Sequence, residues 1–152
     1  MARQLVRVAA EAGADIVKFQ TFVASKITAA HAPKAEYQKA TTGTEESQQE
    51  MIARLELSRA DHDVLIEECR QAGITFFSTG FDEESLDMLV ELGIDRIKVP
   101  SGELTNLPLL RHMASKKLPV ILSTGMATMG EIEDAIRVME EGGVPRSQIT
   151  VL

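Results

Sequence analysis

Residues 75–101 read TFFSTGFDEESLDMLVELGIDRIKVPS, and their rhythm decides the fold class. A short apolar run, TFFST, is followed by an acidic cluster, Asp82, Glu83 and Glu84, and then by a helical pattern that Leu92-Gly93 closes. A second apolar run, RIKVPS, comes next. Acidic residues favour the positive end of a helix, and a glycine after the last periodic residue is the usual left-handed stop. Short, continuous apolar runs are those of parallel strands covered on both faces. The unit is strand, helix, strand.

Working outward, the runs at 15–21 (DIVKFQT), 119–124 (PVILST) and 148–152 (QITVL) repeat the strand pattern. Ser58 with Asp61 and Thr128 with Glu131 resemble capping boxes, and Pro108 sits where a first helical turn tolerates it. Ala12-Gly13, Ala72-Gly73 and Gly142-Gly143 are further helix stops. Alternating β and α predicts a parallel sheet with right-handed crossovers. An open doubly wound sheet and a closed (β/α)8 barrel share that pattern. The chain opens on a helix and closes on a bare strand, and a barrel needs about 250 residues, against five strands in 152 residues here. The expectation is an α/β fold, a partial TIM barrel holding strands two to six of eight, with residues 1–152 as one incomplete barrel domain. Residues 23–57 break the rhythm: they are polar, contain Pro33, Gly43 and the run TTGT at 41–44, and exceed ordinary loop lengths. A substrate-covering loop is expected there.

Composition narrows the function. Apolar residues are 44% and charged residues 26%, a globular mix, and the formal charge of −7 argues against a nucleic-acid or acidic-membrane partner. No run of 18 apolar residues suggests a membrane span, and MARQLVRVAAEAGAD lacks the apolar core of a signal peptide. One cysteine, Cys69, rules out an internal disulfide framework, fits a reducing cytoplasm, and reads as a small buried apolar residue.

Three runs end alike: Ser78-Thr79-Gly80, Ser101-Gly102-Glu103 and Ser123-Thr124-Gly125. Hydroxyls beside glycines on neighbouring strand ends make a cup of donors for phosphate or carboxylate, although each tripeptide also simply makes a turn. Lys18 and Lys98 sit inside apolar runs, two or three residues before the strand ends. An ammonium there needs a carboxylate partner or a water-filled cavity, and an anion at the barrel mouth accounts for both lysines. Gln20 shares the Lys18 face. Glu103 could transfer a proton, hold a sugar hydroxyl or neutralise Lys98. His31, His62 and His112 share no metal-binding spacing; His62 and His112 are expected on solvated helix faces, and the methionines as core fillers.

IVKFQTF, KAEYQK, FFSTGFD, IKVPSGELTNLPLL and ILSTGMAT resemble, in order and spacing, the barrel domain of N-acetylneuraminate (sialic acid) synthases. KAEYQ with SQQEMIARLELS is more similar to the sialic and legionaminic acid branch than to the pseudaminic acid branch. The resemblance implies condensation of phosphoenolpyruvate with N-acetylmannosamine or a related N-acetylated amino sugar, giving a nonulosonate and phosphate. It implies phosphoenolpyruvate contacts from Lys18, Thr79, Lys98, Ser101 and Ser123, a sugar-side role for Gln20 and a catalytic one for Glu103. It also implies a divalent metal, manganese or magnesium, whose ligands are not in this chain, and a homodimer in the full-length form. The family's first strand, its later strands and its C-terminal domain are not represented, so the chain alone is expected to be inactive. The alternatives are another phosphoenolpyruvate- or aldol-type TIM barrel and a non-catalytic flavodoxin-like binding domain. The latter would want a phosphate loop or acidic cluster after its first strand, and FQTFVASK offers neither.

Overall fold

The computed structural model describes residues 1–30, 32–36, 38 and 46–152. His31, Tyr37 of the KAEYQK motif and the run at 41–44 lie outside the described residues. The elements follow the expected alternation: α1 (Ala2–Glu11), β1 (Ile16–Thr21), α2 (Ala24–Ile27), α3 (Gln48–Ala53), α4 (Arg59–Ala72), β2 (Thr75–Gly80), α5 (Glu83–Glu91), β3 (Ile97–Val99), α6 (Leu107–Ser115), β4 (Val120–Leu122), α7 (Met129–Glu141) and β5 (Ile149–Val151). Every described ladder is parallel. β1 pairs with β2 in one sheet, and β3, β4 and β5 pair in order in a second. β2 lies beside β3, and no ladder joins them.

Local chemistry sets the boundaries. Ser47, Ser58 and Thr128 each close a capping box with Glu50, Asp61 and Glu131. Asp82 caps α5, accepting from Ser85 N at 2.9 Å and Ser85 Oγ at 2.7 Å. β3 stops at Val99, shorter than the run at 96–101 suggested, because Pro100 has no N–H to give a ladder. Residues 23–57 are not a plain loop: α2 and the capped α3 form inside them.

Strand parity separates two faces. Val17 and Phe19 of β1 and Phe76 of β2 pack with Val6, Leu65 and Cys69 of α1 and α4, with the Phe19 and Phe76 rings stacked at 5.6 Å. Ile97, Val99, Val120 and Leu122 pack with Leu110 and Met113 of α6 and Val138 and Met139 of α7. Glu68 in α4 is 5% exposed and takes both Arg3 and Arg7 of α1 at 2.5 Å. Its carboxyl is held below the usual glutamate value, first by the hydrogen bond from Arg7 and then by that from Arg3.

Two expectations fail. His62 is not on a solvated face but fully buried, because Ser58 O and Thr21 Oγ1 take its two ring nitrogens at 2.7 and 2.8 Å. His112 is half-buried against Asp87, at 2.7 Å. Met51, Met113 and Met139 do fill the core, whereas Met126 and Met129 stand exposed after β4.

Candidate functional site

The site begins with strand alternation. Because Val17 and Phe19 face the helices, Lys18 and Gln20 face away from them, and the β1–β2 register sets Gln20 beside Thr79. In β3, Ile97 and Val99 face the helices, so Lys98 also faces away. The two lysines therefore share the side of the strands turned away from those core helices. Lys18 is exposed, on a strand that among the described residues is paired on one side only; Lys98 is 9% exposed.

Lys98 is the electrostatic centre of this side. Its Nζ donates to Ser123 Oγ and to Val99 O, each at 2.6 Å. Among the described residues no carboxylate lies within ion-pair distance of it. Burial pushes its pKa below the ordinary lysine value, and the nearby Lys18 charge lowers it further. Thr79 is 1% exposed, and its Oγ1 is buried with no hydrogen-bond partner. A buried donor left without an acceptor costs about 1–3 kcal/mol, and a buried ammonium without a counterion is costlier still. An anion on this face would offset both.

The other candidates are more dispersed. Ser101 lies against Gly125, whose φ is +52° and where a Cβ would come within 2.7 Å of Ser101 Cβ and 2.9 Å of its Oγ. The two residues line a cleft of about 390 Å³ with Gly102, Met126 and Glu131. Glu103 does not pair with Lys98; its carboxylate accepts from Asn106 Nδ2 at 2.8 Å. Lys18 and Gln20 line a larger groove of about 840 Å³ with Phe22, Phe81, Ile52, Arg54 and Glu56. Part of the 23–57 segment therefore walls the Lys18 side. Lys98 and Ser123 are joined directly, Lys18 by charge, and Gln20 and Thr79 by register, whereas Ser101 faces the separate cleft and Glu103 turns to Asn106.

One supporting network has no signature in the sequence. Ser58 O can only accept, so His62 Nδ1 donates to it and Nε2 accepts from Thr21 Oγ1 at 2.8 Å; Ser78 Oγ then donates to Thr21 at 2.7 Å. This chain of bonds fixes the ends of β1 and β2 next to Gln20 and Thr79. Asp82 adds a tie across the same ends, accepting from Val23 N at 3.0 Å. Its place directly after STGF was the available signal.

A divalent metal does not fit the described residues: among them no group of three or more His, Cys, Asp or Glu could hold one. Nor is any helix among them long and apolar enough to cross a membrane.

A profile described as the NeuB family matches residues 5–152. The chain belongs to that family. It is 47% identical over all 152 residues to N,N'-diacetyllegionaminic acid synthase of Campylobacter jejuni, covering 46% of that protein. To the Legionella pneumophila enzyme of the same name it is 52% identical over 136 residues, 90% of this chain and 38% of that one. The crystal structure of N-acetylneuraminic acid synthetase from Leptospira borgpetersenii, solved with citrate, superposes with a TM-score of 0.80 at 28% identity. The match covers 99% of this NeuB-family chain and 47% of that one. The chain thus spans about half or less of the length of the relatives it matches.

Proposed function

We propose that this chain supplies the anion-binding side of a nonulosonate synthase, a transferase joining phosphoenolpyruvate to N-acetylmannosamine or a related N-acetylated amino sugar. The observation that carries the reading is Lys98: a buried ammonium with Ser123 and a carbonyl as partners, no carboxylate among the described residues, and a second cation acting on it. In this reading the five strands are strands two to six of a (β/α)8 barrel in a longer, homodimeric, cytoplasmic protein. The identities to two legionaminic acid synthases support that branch. The divalent metal draws its ligands from beyond the described residues.

The roles follow from charge and position. Lys98 and Lys18 offset the charge of phosphate and carboxylate, and the Thr79, Ser123 and Ser101 hydroxyls orient them by charge-assisted hydrogen bonds. Gln20, facing the larger groove, meets the sugar. Glu103, held by Asn106, serves proton transfer or a sugar hydroxyl. Anion binding restores Lys98 toward its ordinary pKa, so the complex takes up protons.

The test is titration calorimetry of the intact protein with phosphoenolpyruvate. Affinity falls as salt rises, and Lys98→Met weakens it by about 2 kcal/mol, roughly 30-fold, the scale of a charge-assisted contact in a partly buried site. Unchanged affinity in that variant removes Lys98 from the site.

A further inference from the structure

We infer that Ser123 and Lys98 form a serine–lysine dyad, a second reactive centre in which Ser123 Oγ is acylated by small activated esters. Three observations meet in it. Ser123 is partly exposed, as a nucleophile must be, while Lys98 beside it is buried. Their polar atoms are 2.6 Å apart, and Val99 O takes a second Lys98 proton, leaving the amine lone pair free to point at Ser123 when Lys98 is neutral. Among the described residues no carboxylate faces Lys98 from β1, β3 or β4. The charged group that does act on it is Lys18 of β1, a cation, which favours the neutral amine along with burial. A serine is a weak nucleophile until a base adjoins it, and a desolvated lysine is such a base.

The step balances without a co-reactant. The Lys98 amine takes the Ser123 hydroxyl proton as Oγ bonds to the ester carbonyl carbon, and the carbonyl electron pair moves onto its oxygen. That oxyanion forms on the side where Lys18 sets a positive potential. The pair then returns, the alcohol or phenol leaves with the proton from Lys98, and Ser123 holds the acyl group. Water, giving a proton to the same amine, then adds to the acyl carbon; the bond to Ser123 Oγ breaks, Oγ recovers the proton from Lys98, and the carboxylic acid departs. This chemistry does not depend on phosphoenolpyruvate binding, although both use Lys98 and Ser123 and so compete.

The intact protein is treated with a fluorophosphonate probe, which loses fluoride as Ser Oγ bonds to phosphorus, and with p-nitrophenyl acetate. The labelled peptide is mapped by mass spectrometry. Labelling at Ser123 is expected, with a rate that rises with pH to a plateau whose midpoint lies below the ordinary lysine value. It falls about 100-fold or more in Lys98→Met, the scale of lost general-base catalysis, and vanishes in Ser123→Ala. Lys98→Arg keeps a cation beside Ser123, preserving the fold by circular dichroism, yet cannot act as a base; labelling in it at the unmodified rate overturns the dyad. So does labelling confined to another residue, or none at all. Saturating phosphoenolpyruvate suppresses labelling if the cup binds it; labelling that survives counts against the phosphoenolpyruvate reading and leaves the dyad standing.

Discussion

Lys98 shows how one buried charge shapes both stability and binding. Its pKa is depressed in the folded chain by burial and then by Lys18. Between that lowered value and about 10.5, the ordinary value, the unfolded chain binds more protons than the folded one. Stability therefore rises with pH across that window, and below it the full penalty of the buried ammonium remains. Chemical denaturation at a series of alkaline pH values should show this rise, and Lys98→Met should flatten it while making the protein more stable at neutral pH. Affinity for an anion moves the opposite way and falls as pH climbs through the same window. Gly125 is a second decisive residue. With φ at +52° and Ser101 Cβ 2.7 Å from where a Cβ would sit, Gly125→Ala meets backbone strain and a clash together. A loss of about 1–3 kcal/mol in denaturant unfolding is expected; a neutral result would mean the Ser101 loop moves aside freely.

At the scale of the element, α4 is the brace behind the strand ends. Its capping box, its double arginine clamp at Glu68 and its buried His62 tie it to α1, β1 and β2. His62→Ala should lower stability by about 3 kcal/mol, since it leaves a cavity and strands the Thr21 hydroxyl without its acceptor. Two amides divide the role. In His62→Gln the side-chain oxygen still reaches toward Thr21, whereas His62→Asn keeps only the bond to Ser58. Melting temperatures ordered Gln above Asn above Ala would assign the main contribution to the Thr21–Ser78 chain; Asn equal to the parent would refute it. Glu68 adds an acid dependence. Its pKa is lowered in the fold, so its contribution is present above the usual glutamate range and is lost as pH falls through the depressed value. Glu68→Gln should be less stable than the parent at neutral pH, and the two should converge in acid.

At the scale of the whole molecule, the architecture leaves edges. Among the described residues β1, β2, β3 and β5 each carry a ladder on one side only, and because β2 lies beside β3 the outer ends are β1 and β5. β1 is the longer of the two at six residues, and an unpaired edge of that length is a template for another strand. The 152-residue chain by itself should self-associate, read as a mass above that of one chain in light scattering. It should also lack turnover of phosphoenolpyruvate with N-acetylmannosamine. A stable monomer with synthase turnover would overturn the partial-barrel proposal.

The sequence alone determined the order and type of the strands and of the longer helices, because caps, helix stops and strand runs are local. Ser58 with Asp61, Thr128 with Glu131, and Leu92-Gly93 act within a turn of themselves. The capping box of Ser47 and Glu50 has the same local signature, but the polar residues around it mask the short helix it starts. Candidate polar residues were legible for a related reason: a lysine in an apolar run, or a hydroxyl beside a strand-end glycine, is anomalous wherever the chain goes. Only the tertiary structure decided what each one touches. Lys98 meets Ser123 across 25 residues and Glu103 turns instead to Asn106. His62, flanked by two aspartates and so apparently solvated, is buried because Thr21, 41 residues away, offers its hydroxyl. Period and capping are properties of neighbours along the chain. A partner brought in by strand pairing and helix packing has no trace in the residues on either side.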